Sequence, residues 1–96
     1  MRFQWDEAKN RYNLAKHRIS FETAKLAFED SHAISFEDHS KDDEERWQTF
    51  GMINGLIVMV AHTCWEEDGE EVIRIISARK ATSRERRIYE AHQRSG

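Results

Sequence analysis

The sequence predicts an α+β fold: an antiparallel sheet of four to five strands with an N-terminal helix pair and a C-terminal helix. Two dipeptides, Asn54-Gly55 and Asp68-Gly69, are strong signals for two-residue hairpin turns, and β-branched or alternating segments flank both of them. Segments with helical periodicity lie towards both ends of the chain. The 96 residues suit a single domain, residues 1–96, with one core.

The N-terminal part of the chain predicts a short strand and a helix. Residues 2–5 alternate apolar and polar side chains, a pattern typical of an edge strand. Asp6 can cap a helix that extends to about His17, because its carboxylate can accept hydrogen bonds from free backbone N–H groups. Three residues at i, i+4 and i+7 are expected to form the buried stripe of this helix: Ala8, Tyr12 and Ala15.

A second helix and four strands follow. Ser20 can cap a helix over residues 21–29, and the short connection to the first helix predicts an angled helix hairpin. Alternation over residues 32–38 predicts a strand, and the charged residues 39–45 predict a loop. The two hairpin turns then join three further strands, which are residues 45–53, residues 56–65 and a segment that starts at Val72.

Residues 72–90 run from a strand into the C-terminal helix. Thr82 and Glu85 form a T-x-x-E capping box at the start of that helix. Free N–H groups and the helix dipole attract phosphate at such a junction, so a cluster of cations there predicts a polyanionic partner. The alternative is that these cations keep the helix soluble and pair with Glu85 and Glu90. The cluster consists of Arg79, Lys80, Arg84, Arg86 and Arg87.

The formal net charge of −3 hides an uneven distribution. Residues 74–96 carry seven Lys or Arg and two Asp or Glu, giving 7 − 2 = +5. Residues 1–73 carry eight and sixteen, giving 8 − 16 = −8. The acidic total therefore does not argue against a nucleic-acid partner, because the basic charge is confined to one end of the chain.

The composition argues against several other classes of protein. Cys64 is the only cysteine, so no disulfide can form within the chain, as expected for a cytoplasmic protein. The longest apolar run, residues 56–61, is too short to span a bilayer, and the first ten residues lack the apolar core of a signal peptide. Only His62 and Cys64 share a face at ligand spacing, so we expect no metal site and no cofactor.

The two hairpin turns also fix which residues face one another across the sheet. Trp47 then faces His62, and Thr63 faces Arg74. We expect the helix pair to cover the apolar face. The opposite face then carries a row of polar side chains: Arg46, Thr63, Arg74 and, at its far end, Lys80. Two arginines beside a threonine can hold a phosphate, although each arginine could instead extend over the surface towards the acidic loops.

Three residues have both a structural and a functional interpretation. On the apolar face His62 is expected to be a hydrogen-bonded core histidine, whereas near the edge of that face it could act as a general acid or base. Lys16 and His17 end the first helix, where cations suit the helix dipole. The alternative for both is a contact with substrate.

Three motifs together resemble one known family. They are F-x-W-D-x-x-K at residues 3–9, N-L-x-K-H-x-I-S-F-E-x-A at residues 13–24, and R-I-I-S-A-R-K-A-T-x-x-E-R-x-x-Y-E at residues 74–90. The chain resembles the BrnT toxins of bacterial type II toxin–antitoxin systems over almost its whole length, and the last motif is the longest and most specific. One departure is Arg18, where the family often has Gly after the K-H pair.

The resemblance implies a RelE-like fold and a metal-independent ribonuclease that stops translation. It also implies a partner, a BrnA-type antitoxin with a ribbon-helix-helix domain, and contact with operator DNA only through the complex with that antitoxin. We expect no membrane partner. A non-enzymatic nucleic-acid binder and a protein-interaction module are the alternatives that the residues themselves leave open.

Metal-free RNA cleavage requires three things of the site. The 2′-hydroxyl must lose a proton, the charge on the phosphate must be neutralised, and the leaving 5′-oxygen must be protonated. We expect the neutralising residues to be Arg74 and Arg79, assisted by Arg46 and Lys80. The candidate proton carriers are His62, Glu85 and Tyr89, of which Glu85 also serves the capping box. The expected RNA-binding residues are Lys16, His17, Arg84 and Arg87.

Overall fold

Five strands form one sheet in the computed structural model, which describes residues 1–39 and 45–95. The strands are β1 (Arg2–Gln4), β2 (Ile34–Asp38), β3 (Arg46–Ile53), β4 (Leu56–Glu67) and β5 (Glu70–Lys80), in the order β1-β5-β4-β3-β2. The helices are α1 (Glu7–His17), α2 (Phe21–Ala24) and α3 (Ser83–Ser95), and a 3₁₀ segment (Lys25–Glu29) follows α2. The α+β class is confirmed. Residues 40–44 of the predicted loop lie outside the described residues.

The prediction of an antiparallel sheet is wrong for β1. This strand lies at the sheet edge, as expected, but it runs parallel to β5, with Phe3 beside Ile73 and Gln4 beside Arg74. The sheet is therefore mixed. Hairpin turns indicate only how consecutive strands pair, and no turn signal connects strands that are about 70 residues apart along the chain.

Both predicted hairpins form. Asn54 and Gly55 have φ angles of 49° and 81°, and Asp68 and Gly69 have φ angles of 52° and 79°. These left-handed conformations match the twist of the flanking strands, which is why Asn-Gly and Asp-Gly are favoured there. The expected register is confirmed: Trp47 faces His62, and Thr63 faces Arg74.

A β-bulge interrupts the pairing of β4 with β5. His62 faces Ile75, but the next residue back along β4, Ala61, faces Ser77, so that Ile76 is an extra residue in β5. Because side chains alternate between the faces of a sheet, one extra residue exchanges the faces of everything that follows it.

The bulge overturns the predicted position of Lys80. Lys80 faces Val58, whose side chain is buried on the face covered by α2, so Lys80 does not continue the row that contains Arg74. Arg79 takes that place instead: it faces Met59, which lies on the opposite face with the residues that contact α3.

Each face of the sheet carries its own buried cluster. α2 and the 3₁₀ segment cover one face, and their small and aromatic residues pack next to aliphatic strand residues. The prediction that both helices of the N-terminal pair cover the apolar face is wrong for α1, which contributes none of the buried residues of this cluster. This cluster includes Phe21, Ala24, Ala27, Val58, Val60, Ile73, Ile75 and Ala78. The other face packs under α3, and its cluster combines Phe50, Ile57, Met59 and Ala61 of the sheet with Tyr89 of α3. The predicted helix over residues 21–29 is thus α2 followed by a tighter 3₁₀ turn.

The predicted buried stripe of α1 is wrong. Ala8, Tyr12 and Ala15 are exposed, and the buried residues of α1 are Asn10 and Asn13. A polar surface of this helix therefore faces the protein. Hydrogen bonds rather than apolar packing hold α1 in place.

Asn13 joins α1 to the edge of β5 beyond the point where β1 ends. Its Nδ2 donates to the carbonyl oxygens of Ile19 and Ala78, both at 2.9 Å, and its Oδ1 accepts from the Ala78 N–H at 3.1 Å. Asn10 Oδ1 accepts from the N–H of Phe21 at 2.8 Å. The side-chain amide of Asn13 thus satisfies backbone groups that an edge strand would otherwise leave unpaired.

Candidate active site

The start of α3 is fixed by the predicted capping box. The Thr82 N–H donates to Glu85 Oε1 at 2.8 Å, and the Glu85 N–H donates to Thr82 Oγ1 at 3.2 Å. Two of the backbone N–H groups at the start of α3 that have no partner within the helix are satisfied in this way. The capping box holds the carboxylate of Glu85 next to the end of β5.

Arg79 and Glu85 form a two-pronged ion pair at this point. Arg79 Nη1 donates to Glu85 Oε1 at 2.8 Å, and Nη2 donates to Oε2 at 3.1 Å. The hydrogen bond with Arg79 lowers the pKa of Glu85, and the same bond raises the pKa of Arg79. The carboxylate is therefore ionised at neutral pH, where it can accept a proton but has none to donate.

On one side of this ion pair lies a hollow of about 410 Å³ between α1 and β5. We call it the cationic hollow, because its lining contains four basic side chains and no acidic one among the residues that the structure describes. It is lined by Lys9, Tyr12, Asn13, Lys16, His17 and residues 76–79. The hollow thus brings the predicted RNA-binding residues Lys16 and His17 together with Arg79.

On the other side of the ion pair lies a groove of about 480 Å³ between α3 and the sheet. Its walls are mainly apolar, with Phe36 and Phe50 from the sheet and Ile88 from α3. Arg84 and Glu85 lie at the end of the groove that is next to the start of α3. Arg84 thus lies in this groove, whereas Arg87 is exposed on α3 and lines neither this groove nor the cationic hollow.

Arg46 and Arg74 lie apart from Arg79 along the sheet. Arg74 faces Thr63, whereas Arg79 faces Met59, four residues away along β4. At 3.3 Å per residue these positions are about 13 Å apart. Arg46, at the start of β3, faces Asp38 of β2. The predicted phosphate-binding residues therefore divide into an Arg79 group and an Arg46–Arg74 row.

Tyr89, a predicted proton carrier, is buried beneath α3. Its hydroxyl donates to Asp30 Oδ2, and the same carboxylate accepts from the backbone N–H groups of Met52 at 2.8 Å and His32 at 2.9 Å. Burial and the contact with Asp30 raise the pKa of Tyr89 to about 12. In this position Tyr89 anchors α3 to the loop before β2.

His62 lies on the face covered by α2, away from the ion pair. It is 5% exposed; its Nε2 is 2.8 Å from Thr49 Oγ1, and its ring centroid lies 5.0 Å from that of Phe28. Burial lowers its pKa from 6.5 to about 4. The imidazole is therefore neutral at pH 7, as expected for a core histidine.

The buried position of His62 predicts a pH-dependent stability. Between pH 6.5 and pH 4 the unfolded chain protonates His62 and the folded chain does not, so the free energy of unfolding falls as the pH falls through this window. We expect urea denaturation to show a loss of about 2 kcal/mol between pH 7.5 and pH 5. A His62→Gln variant should lose much less over the same range; an equal loss in both proteins would contradict the assignment.

Sequence reasoning missed the other three residues that α1 contributes to the cationic hollow: Lys9, Tyr12 and Asn13. The available signal was the spacing of Lys9, Tyr12, Asn13 and Lys16, which places all four on one side of a helix. The prediction that Tyr12 lies on the buried side of α1 hid this pattern. The buried side instead carries the side-chain amides of Asn10 and Asn13.

Among residues 1–39 and 45–95, no three His, Cys, Asp or Glu side chains are close enough together to hold a metal ion. None of their helices combines the length and the apolar character needed to cross a bilayer.

Comparison with known proteins connects this geometry to a family. The family model described as the ribonuclease toxin BrnT of type II toxin–antitoxin systems matches residues 5–85 of the 96-residue chain. The matched region contains both walls of the cationic hollow, α1 and β5, together with the Arg79–Glu85 pair. No curated protein matches the chain. On the family match, the chain belongs to the BrnT family of ribonuclease toxins of type II toxin–antitoxin systems.

Proposed function

We propose that this protein is an endoribonuclease that cleaves RNA at the Arg79–Glu85 pair without a metal ion, and thereby inhibits translation. The observation that supports this most strongly is the junction of that ion pair with the cationic hollow. A base, a phosphate-binding arginine and further cations then lie within one small region. These are the groups that metal-free cleavage of RNA requires.

Binding begins with the phosphate. The guanidinium of Arg79 is one-third exposed and offers two parallel donors, which suit phosphate oxygens as well as the carboxylate of Glu85. Lys16 lies in the same hollow and adds positive charge. A phosphodiester that enters the hollow can therefore replace Glu85 as the partner of Arg79.

Proton transfer becomes possible once the phosphodiester has replaced Glu85 as the partner of Arg79. The hydrogen bond with Arg79 is the main cause of the low pKa of Glu85, so its loss raises the pKa and makes Glu85 a stronger base. Glu85 then takes the proton from the 2′-hydroxyl, and the new 2′-oxygen bond to phosphorus forms as the 5′-oxygen bond breaks. His17 lines the hollow, and we propose that its imidazole gives the 5′-oxygen its proton.

The remaining predicted residues have supporting roles in this scheme. Arg46 and Arg74, in a row about 13 Å from Arg79 along the sheet, hold the RNA backbone on one side of the cut rather than at the reacting phosphate. Lys80, Arg84 and Arg87 add to the basic surface around the start of α3.

The family of type II toxins implies an antitoxin partner and an RNA target. We propose that the antitoxin is of the BrnA type, with a ribbon-helix-helix domain, and that the complex contacts operator DNA through that domain. Residues 1–73 carry a net charge of −8, which favours a basic protein partner.

Incubation of the purified protein with RNA and with duplex DNA tests the function. We expect cleaved RNA in the presence of a chelator, with 2′,3′-cyclic phosphate ends, and intact DNA. A salt-sensitive shift of DNA without cleavage of RNA would instead indicate a nucleic-acid binder. Cleavage that stops when chelator is added and returns with Mg²⁺ would contradict the metal-free mechanism.

A further inference from the structure

Tyr12 is exposed in an unusual setting. Its relative exposure is 66%, yet it lines the cationic hollow beside Lys9 and Lys16. The ammonium group of Lys16 lies 5.7 Å from the centroid of the Tyr12 ring. An aromatic ring surrounded by cations offers a flat apolar surface next to binding sites for phosphate.

The position of Tyr12 has no structural explanation in the fold. Asn10 and Asn13 dock α1 to the protein, and Tyr12 belongs to neither buried cluster. Arg79 and Ser77 lie across the hollow on β5. The volume of about 410 Å³ falls within the range of small-molecule sites and accommodates one nucleotide.

We propose that Tyr12 is the platform of a nucleobase subsite. One base of single-stranded RNA stacks on the Tyr12 ring, and Lys9 and Lys16 hold the adjoining phosphate group. This inference rests on the proposed function and adds the position of a base to it. Because every base has a flat face, the subsite selects unpaired RNA over duplex rather than one sequence over another.

Binding of a short single-stranded RNA with 2′-O-methyl groups tests the subsite, because such an RNA has no free 2′-hydroxyl and cannot be cut. We expect Tyr12→Ala to weaken binding about 5- to 100-fold, as loss of one stacked base does, and Tyr12→Phe to bind as the original protein does. Leu14→Ala is the matched control, since Leu14 is 47% exposed on the same helix but does not line the hollow. It should leave binding unchanged.

A fluorescent base in the RNA distinguishes the loss of stacking on Tyr12 from the loss of a positive charge on the protein. With 2-aminopurine placed at successive positions, one position should be quenched by the original protein and by Tyr12→Phe, but not by Tyr12→Ala. Lys16→Ala should weaken binding while keeping the quenching. In cleavage assays Tyr12→Ala should raise KM and change kcat little.

The results of these experiments distinguish an error in the nucleobase subsite from an error in the proposed ribonuclease function. If the original protein cuts RNA and Tyr12→Ala binds within twofold of it, the subsite is wrong and the ribonuclease stands. If the original protein neither binds nor cuts RNA, both are wrong.

Discussion

Arg79→Ala should lower the rate of RNA cleavage about 100- to 1,000-fold and abolish growth arrest on expression. Loss of one fixed donor to developing charge has this magnitude in other enzymes. Arg79 is also the residue that joins the two parts of the candidate site, since it lines the cationic hollow and pairs with Glu85. The measurement is single-turnover cleavage of a labelled RNA.

The fold should survive this substitution. The side chains of Arg79 and Glu85 are 33% and 19% exposed, so the carboxylate left behind still reaches solvent, and it keeps its hydrogen bond from the Thr82 N–H. Arg11→Ala is a suitable control, because Arg11 is an exposed cation on α1 that does not line the hollow. Equal loss of activity in both variants would indicate a general effect of charge and contradict the role given to Arg79.

Glu85→Gln separates the two duties of that residue. Glutamine can complete a capping box as glutamate does, so the start of α3 should persist. It cannot accept the proton of the 2′-hydroxyl, so cleavage should fall at least about 100-fold. A variant that cuts RNA at the original rate would leave Glu85 with the capping role alone.

Asn13→Ala should lower the free energy of unfolding by about 3 kcal/mol, because it leaves buried backbone groups of Ile19 and Ala78 without partners. For a domain of this size that corresponds to a fall in Tm of roughly 15 °C. Activity should fall as well, since α1 carries Lys16 and His17 into the cationic hollow. Thermal denaturation followed by circular dichroism measures the first effect.

Leu14→Ala, one position further along α1, should change stability by less than about 0.5 kcal/mol, because its side chain is half exposed. An Asn13→Ala variant with the original Tm would mean that water replaces the amide at little cost. That result would contradict the conclusion that hydrogen bonds hold α1 against β5.

Local signals in the sequence were sufficient for the features that depend on neighbours in the chain. The Asn54-Gly55 and Asp68-Gly69 turns and the Thr82–Glu85 capping box need only the residues that form them. The parallel pairing of β1 with β5 could not be predicted in this way. The two strands are far apart in the sequence, and their pairing depends on the path that the chain takes between them.

The candidate site was predictable in part for the same reason. Lys16, His17 and Arg79 were identified from charge and from the family motifs, and the structure brings them together. The faces on which Arg79 and Lys80 lie depend on the extra residue in β5, which has no turn or composition signal. Tyr12 was assigned to the core because periodicity alone cannot tell which side of a weakly apolar helix is buried.

The walls of the cationic hollow come from distant parts of the chain. Residues 9–17 supply one wall and residues 76–79 supply the other, and the bonds of Asn13 to Ala78 span 65 positions. During synthesis the first wall leaves the ribosome long before the second exists. The nascent chain therefore has no assembled candidate site while its own messenger is still being translated through the codons that precede β5.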